Sequence, residues 1–170
     1  MAAQPRSLAE SSPPHAARTL ILGLGNPLLS DDAVGLRVVQ QLRPLLAGQP
    51  DVEVAEEYWG GLRLMERMVG YARVIIVDAV CSGQAPGTVC VRGPEGIDTQ
   101  HSASSHDVNL TTALEFGRRA GARLPEAENT RLVVIEAADV LTFGETCSPP
   151  VQAAVQRAVQ AVMTLLSSWR

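Results

Sequence analysis

One short stretch near the amino end, residues 19–35, restricts the fold of this chain more than any other. It begins with the apolar run Leu20–Leu24, passes through two glycines and an Asn-Pro turn, and reaches the acidic pair Asp31-Asp32 ahead of an amphipathic helical pattern. A short apolar run bounded by turn residues is typical of a buried strand. Open α/β sheets bind their ligands at the carboxyl ends of such strands. The stretch therefore predicts a strand–turn–helix unit with carboxylates at a ligand-binding edge.

The rest of the chain alternates short apolar runs with helical patterns. The β-branched run Val74–Val77 indicates a central strand that is buried on both faces. Strands are predicted at residues 20–24, 52–55, 74–77, 89–91 and 132–135, and helices at about 34–45, 62–69, 108–119 and 151–165. The alternation predicts an α/β fold: a three-layer, twisted, mostly parallel five-stranded sheet with one antiparallel strand and helices on both faces. The short spacing between the third and fourth strands predicts that these two form the antiparallel hairpin.

Polar residues suited to helix N-caps stand before two of these helices. They are Ser30 or Asp31 before the first helix, and Ser104 or Ser105 before the third.

Composition restricts the compartment and the partners. With 170 residues, 46% of them hydrophobic, the chain predicts one compact domain at 19–170 after a disordered tail at 1–18 that is rich in Ala, Pro and Ser. A net charge of −4 without a basic stripe argues against nucleic acid, and no apolar run is long enough to span a membrane. Cys81, Cys90 and Cys147 have no paired spacing, which indicates a reducing cytoplasm. The absence of lysine excludes Schiff-base chemistry and a Walker-type phosphate site.

Three residues are candidate ligands for one divalent metal ion: Asp32, Asp78 and His106. Asp78 ends the β-branched run and His106 stands where a helix is predicted to begin, so all three are expected at the same edge of the sheet. Two carboxylates and one imidazole suit nickel or zinc, and three protein ligands leave positions for water or a substrate group. Taken singly, each has a commoner explanation, as a capping acid, an Asx turn or a surface histidine. The metal hypothesis therefore depends on their convergence.

Other reactive patterns are incomplete. The tripeptide Ser105-His106-Asp107 holds the residue types of a catalytic triad, but neighbours on a helix point away from one another. The glycine pair after the first strand lacks the third glycine of a dinucleotide fingerprint. Cys81, three residues past Asp78, is predicted to be a small buried side chain.

Three motifs follow one another along residues 19–165. They are GLGNPLLSDDAVG at 23–35, IIVDAV at 75–80 continued by APGT at 85–88, and SSHDVNL at 104–110. In this order and spacing they resemble the hydrogenase maturation endopeptidases, which process the large subunits of nickel–iron hydrogenases. The resemblance implies a twisted sheet between helices and an endopeptidase that removes the C-terminal extension of an immature large subunit after nickel insertion.

The same resemblance implies roles for individual residues. Asp32, Asp78 and His106 would be the nickel ligands and the catalytic site, with the nickel carried by the substrate and with zinc or cadmium able to occupy the site in vitro. The partner would be the immature hydrogenase large subunit. Apart from the resemblance, we expect a monomer that binds this partner transiently, in the cytoplasm that the composition indicates. After the second strand many members carry an Asp-Gly-Gly-Thr-like loop, whereas this chain has the bulkier sequence EEYWGG at 56–61, with Glu56 in place of the aspartate.

The candidate ligands fit two mechanisms. The metal either polarises the scissile carbonyl or lowers the pKa of a bound water. Alternatively it only docks the substrate, while Asp31 or Glu56 activates water as a general base.

Two other functions compete with the protease. A non-catalytic nickel-binding accessory protein fits the same ligand set. A peptidyl-tRNA hydrolase also begins with a Gly-Leu-Gly-Asn-Pro stretch after its first strand, but that family continues with glycine and a segment ending in His-Asn. Here Leu28–Asp32 follow, no histidine comes before His101 in the rest of the chain, and the net acidity disfavours a tRNA substrate.

Overall fold

The computed structural model describes residues 18–95 and 109–169, which form a five-stranded sheet with helices on both faces. The strands are β1 (Thr19–Leu24), β2 (Val52–Glu57), β3 (Arg73–Val80), β4 (Val89–Arg92) and β5 (Thr130–Glu136), and the helices are α1 (Val34–Leu46), α2 (Gly61–Met68), α3 (Leu110–Arg119) and α4 (Pro149–Ser168). The strand order is β2-β1-β3-β5-β4, and all neighbours are parallel except β4 and β5. The predicted fold class is confirmed.

Side-chain alternation along β3 divides the core into two layers. Ile75 and Val77 face the apolar sides of α1 and α4, whereas Val74 and Ile76 face α2 and α3. Successive side chains of a strand point to opposite faces, so a strand covered on both sides must be apolar throughout. The β-branched run is therefore the central strand that its sequence predicted.

Two glycines let α1 lie directly on the strands. A Cβ on Gly35 would collide with the backbone carbonyl oxygens of Leu24 and Val77, and a Cβ on Gly23 would collide with the carbonyl oxygen of Gly35. Only glycine permits this approach. The first turn of α1, and the acidic pair before it, are thereby held against the ends of β1 and β3.

The predicted hairpin between β3 and β4 is wrong. The fourth strand is antiparallel, as expected, but it pairs with β5, with Val89 opposite Ile135. After β3 the chain turns over the end of β5, where the Gly87 N–H donates to the Glu136 carbonyl (2.8 Å) and the Glu136 N–H donates to the Thr88 carbonyl (2.9 Å). Sequence spacing indicated the direction of the strand but not its partner.

The predicted helix caps also differ. Ser30 precedes a 3-10 turn, Asp31–Ala33, and its hydroxyl donates to the Thr146 carbonyl rather than capping the helix. Asn109 caps α3, because its side-chain oxygen accepts a hydrogen bond from the Thr112 N–H (2.9 Å). The alternatives named for this cap, Ser104 and Ser105, lie outside the described residues.

Two predictions about the ends and the environment of the chain have different outcomes. The predicted tail, residues 1–18, lies outside the described residues except for Arg18, and stays a prediction. Among the residues that are described, no helix combines the length and apolarity needed to cross a bilayer.

Candidate functional site

Asp32 lies in the 3-10 turn between β1 and α1, and 4% of its surface is exposed. Its Oδ2 accepts a hydrogen bond from the Asn26 backbone N–H at 2.8 Å, across the turn that the Asn-Pro sequence forms. Gly25, at the start of this turn, has a φ of +157° and no room for a Cβ beside the Asp32 carbonyl. The turn therefore fixes the Asp32 carboxylate at the carboxyl end of β1.

Asp78 lies on the adjacent strand at the same edge of the sheet. It was predicted to terminate β3, but the strand continues to Val80 and Asp78 is fully buried within it. In the register, Gly23 of β1 is opposite Val77, so Asp78 stands one residue further towards the carboxyl edge. Alternation with Ile76 and Val80 places it on the sheet face that α2 and α3 cover. A carboxylate buried in a central strand is costly unless it is paired or ligated.

The third predicted ligand, His106, lies outside the described residues, as do His15 and His101. Within residues 18–95 and 109–169, no three His, Cys, Asp or Glu side chains form a group able to hold a metal ion. The structure thus brings Asp32 and Asp78 to one edge. In sequence, His106 stands four residues before α3, the helix that packs on the Asp78 face. Two buried carboxylates joined by an imidazole would suit a borderline divalent ion.

The neighbouring acid, Asp31, serves the fold. It is fully buried, and its Oδ2 accepts from the backbone N–H groups of Ala138 (2.8 Å) and Asp139 (3.0 Å) and from the Ser148 hydroxyl (2.9 Å). Its Oδ1 accepts from the Ser148 backbone N–H at 2.6 Å. A buried carboxylate surrounded by donors in this way is a poor general base for a substrate water, and the role of Asp31 as that base stays a prediction.

The two glutamates at the end of β2 point in different directions. Glu56 pairs with Arg43 of α1 (3.1 Å) and accepts from the Tyr58 hydroxyl (3.0 Å). This hydrogen bond, and the negative charge of Glu56, raise the pKa of Tyr58 above its ordinary value. Glu57 instead lies near Arg67 of α2 (3.6 Å), on the face that Asp78 shares. The predicted substitute for the family aspartate, Glu56, is therefore held against α1.

A buried acid that sequence reasoning missed ends β5. Glu136 Oε1 accepts from the backbone N–H groups of Ser82 (2.7 Å), Gly83 (2.8 Å) and Gln84 (3.2 Å), and Oε2 accepts from the Ser82 hydroxyl (2.6 Å). Burial acts to raise the pKa of Glu136, but these hydrogen bonds outweigh it and hold the pKa below its ordinary value. The available signal was an acid after the apolar run Leu132–Ile135, the pattern that singled out Asp78.

The prediction of a buried Cys81 is wrong. This residue follows β3 at the start of the loop that Glu136 holds, and it is exposed. Partial desolvation, followed by the negative charges of Glu136, Asp32 and Asp31, raises the pKa of its thiol. Cys81 therefore lies near enough to these three carboxylates for their charges to affect its thiol pKa.

Comparisons with known proteins agree with this architecture. The family model described as "Hydrogenase maturation protease" matches residues 36–165. The chain is 30% identical over 152 residues to the hydrogenase 2 maturation protease of Escherichia coli, covering 88% of this chain and 90% of that protein. It is 26% identical to the hydrogenase expression/formation protein HupD of Rhizobium leguminosarum, covering 92% and 78%.

A solved structure has the same fold. The hydrogenase maturating endopeptidase HybD from E. coli superposes with a TM-score of 0.71 at 27% identity, covering 89% of this chain and 93% of that one. The family model, the curated relatives and the solved structure therefore point to one family. The chain belongs to the hydrogenase maturation protease family.

Proposed function

We propose that this chain is an endopeptidase that removes the C-terminal extension of a nickel–iron hydrogenase large-subunit precursor, and that it recognises nickel already inserted in that precursor. Asp32, Asp78 and His106 are the proposed ligands. The metal is part of the substrate, and the working form is a monomer that binds the precursor transiently in the cytoplasm.

One observation carries the proposal: two buried carboxylates lie at the carboxyl edge of neighbouring parallel strands in a member of a protease family. Asp32 follows β1 and Asp78 lies near the end of β3. Their combined negative charge at a low-dielectric edge favours a divalent cation over a neutral peptide. A precursor that lacks nickel lacks the group that neutralises these acids, and it should bind more weakly.

The rest of the site restricts the chemistry. A Ser or Cys nucleophile is not required, because a nickel ion held by Asp32, Asp78 and His106 would supply a Lewis acid for the scissile carbonyl or for an attacking water. The Asp31 carboxylate accepts hydrogen bonds from Ala138 and Ser148. The Glu56 carboxylate pairs with Arg43 and accepts a hydrogen bond from Tyr58. The chain's own contribution is then to hold the precursor so that its scissile bond lies beside Asp32 and Asp78.

The test is mass spectrometry of a nickel-loaded large-subunit precursor incubated with this protein. We expect loss of one fixed C-terminal peptide, and no loss from the nickel-free precursor. His106→Ala should reduce the rate of cleavage about a hundredfold or more, because a metal-binding residue is removed outright.

His101→Ala is the matched control, since it removes a histidine five positions away in the same segment and should cleave normally. Normal cleavage by His106→Ala would refute the ligand assignment. An intact precursor that nevertheless binds the wild-type protein would point to the non-catalytic accessory function.

A further inference from the structure

The loop after β5 lies against the segment that precedes Asp32, and we call the surface that the two segments form the wall. Residues 26–30, which precede the 3-10 turn, and the loop 137–148, which follows β5, are joined by an antiparallel bridge between Leu29 and Phe143. On either side of the bridge the Ser30 N–H donates to the Thr142 carbonyl and the Gly144 N–H donates to the Leu28 carbonyl, both at 3.0 Å. The two segments therefore form one surface that continues directly into Asp32.

Hydrogen bonds to two aspartate side chains fix the conformation of this wall. The buried Asp31 carboxylate binds both ends of the loop, at Ala138 and Asp139 and again at Ser148. Within the loop, Asp139 Oδ1 accepts from the backbone N–H groups of Leu141 (3.0 Å) and Thr142 (2.9 Å). A loop with this many internal anchors has little conformational freedom left to lose when it binds a partner.

Both segments of this wall carry exposed apolar side chains. Leu28 is 63% exposed, Leu141 83% and Phe143 79%. We call these three residues the apolar rim. Single exposed apolar residues are ordinary, but several on two segments that are hydrogen-bonded to each other are typical of an interaction site.

We propose that the apolar rim is a preformed contact surface for the large-subunit precursor, engaging apolar side chains next to the scissile bond. The inference rests on the proposed function, since an endopeptidase must hold its substrate on both sides of the bond that it cuts. The rim continues into Asp32, and Asp31 acts as its positioning residue by tying the loop to the turn that carries Asp32. The acids at the centre attract the metal, and the rim supplies the contacts that a charged site does not.

The test compares the double variant Leu141→Ser/Phe143→Ser with the wild type on the nickel-loaded precursor. Full burial of one large apolar side chain contributes roughly a factor of ten or more to binding, and because a side chain in a surface contact is buried only in part, each of the two should contribute about threefold to tenfold. We expect Kd and KM to rise about tenfold to a hundredfold while kcat changes less than about threefold. Because both side chains are exposed, the thermal unfolding midpoint should not fall.

Phe116→Ser is the matched control, because Phe116 is 60% exposed and lies on α3, in the half that leads away from the carboxyl edge. It should leave Kd, KM and kcat unchanged. Light scattering of wild type and double variant separates a rim that pairs two copies of this chain from one that binds the precursor.

The outcomes distinguish the rim from the proposed function. If the double variant cleaves the precursor with unchanged Kd and KM, the rim is not a substrate contact, and the proposed protease function is unaffected. Binding of the wild type without cleavage, lost in the double variant, would support the rim and overturn the protease. If the wild type is a dimer, the double variant is a monomer and both bind the precursor equally well, the rim is a dimer contact and not a substrate surface. A wild type that does not bind the precursor would overturn both.

Discussion

Two loops flank the carboxyl edge of the sheet, and each is held by a buried carboxylate. Asp31 holds the loop 137–148, and Glu136 holds the loop 81–87. Asp31 receives hydrogen bonds from positions 107 to 117 residues away, near the start of its loop and at the last residue of the loop, Ser148, which precedes α4. Glu136 receives them from three consecutive backbone N–H groups at one point.

A buried acid stabilises more of the molecule when its donors are far apart in sequence. Asp31 joins the 3-10 turn, the end of β5 and the start of α4, so its loss should weaken the whole domain. Glu136 organises one local turn, so its loss should open that turn and leave the rest folded.

The largest effect is expected from Asp31→Ala. The substitution leaves the N–H groups of Ala138, Asp139 and Ser148 without their acceptor, and each partly buried donor left unsatisfied costs about 1–3 kcal/mol. We expect the free energy of unfolding to fall by about 3–5 kcal/mol, measured by urea denaturation. Asp51→Ala removes an exposed aspartate side chain and is the control, for which we expect no measurable change. A loss below about 1 kcal/mol for Asp31→Ala would show that the two acids do not differ.

The second prediction concerns the local turn. Glu136→Gln keeps the shape of the side chain but replaces charge-assisted hydrogen bonds by neutral ones, which are about half as strong. We expect amide hydrogen exchange at Ser82 and Gly83 to accelerate about tenfold, with little change in the urea midpoint. Exchange at Asp139, in the other loop, is the internal control and should stay constant. A urea midpoint that falls as far as in Asp31→Ala would remove the distinction between local and long-range roles.

The same comparison explains how much of the molecule the sequence could predict. The strands and the placement of Asp32 and Asp78 at one edge follow from local patterns: a β-branched run, an Asn-Pro turn and acids at strand ends. The parallel pairing of β1 and β3 then brings the carboxyl ends of these two strands to the same edge of the sheet. The roles of Asp31 and Glu136 could not be predicted, because their donors lie 107 and 54 residues away and only the folded chain brings them close.

The pairing of β4 and the exposure of Cys81 escaped prediction for a related reason. A short linker after β3 suggested a hairpin, but the hydrogen bonds between Gly87, Thr88 and Glu136 carry the chain over β5 instead. The same turn leaves Cys81 at the surface. The role of His106 stays a prediction.

The third prediction uses pH to measure the Glu136 interaction alone. Its pKa is lowered from an ordinary value of 4.5, so the carboxylate stabilises the turn fully above about pH 5 and loses this contribution as pH falls through the lowered pKa. We expect the difference in exchange rate between wild type and Glu136→Gln to be constant from pH 7 to pH 5 and to shrink only below the ordinary value of 4.5, as the pH falls through the lowered pKa. Rates are corrected for intrinsic exchange at each pH. A difference that already shrinks between pH 7 and pH 5 would mean that the turn does not lower the pKa of Glu136.

The smallest effect is expected at Cys81, because, after partial desolvation, the charges of both Glu136 and Asp31 raise the pKa of its thiol. Partial desolvation and the charges of Glu136, Asp32 and Asp31 raise the pKa of its thiol, and only the thiolate reacts with alkylating reagents. In a Cys90→Ser/Cys147→Ser background, we expect the midpoint of the iodoacetamide rate against pH to lie above 9.0, the ordinary value for this thiol. Adding Glu136→Gln should move the midpoint down by a few tenths of a pH unit, because one negative charge is removed. Midpoints are independent of accessibility, so a looser turn would change the plateau rate and not the midpoint. An unchanged midpoint would place the electrostatic influence on Cys81 with the aspartates before α1, and would make Glu136 a purely local anchor.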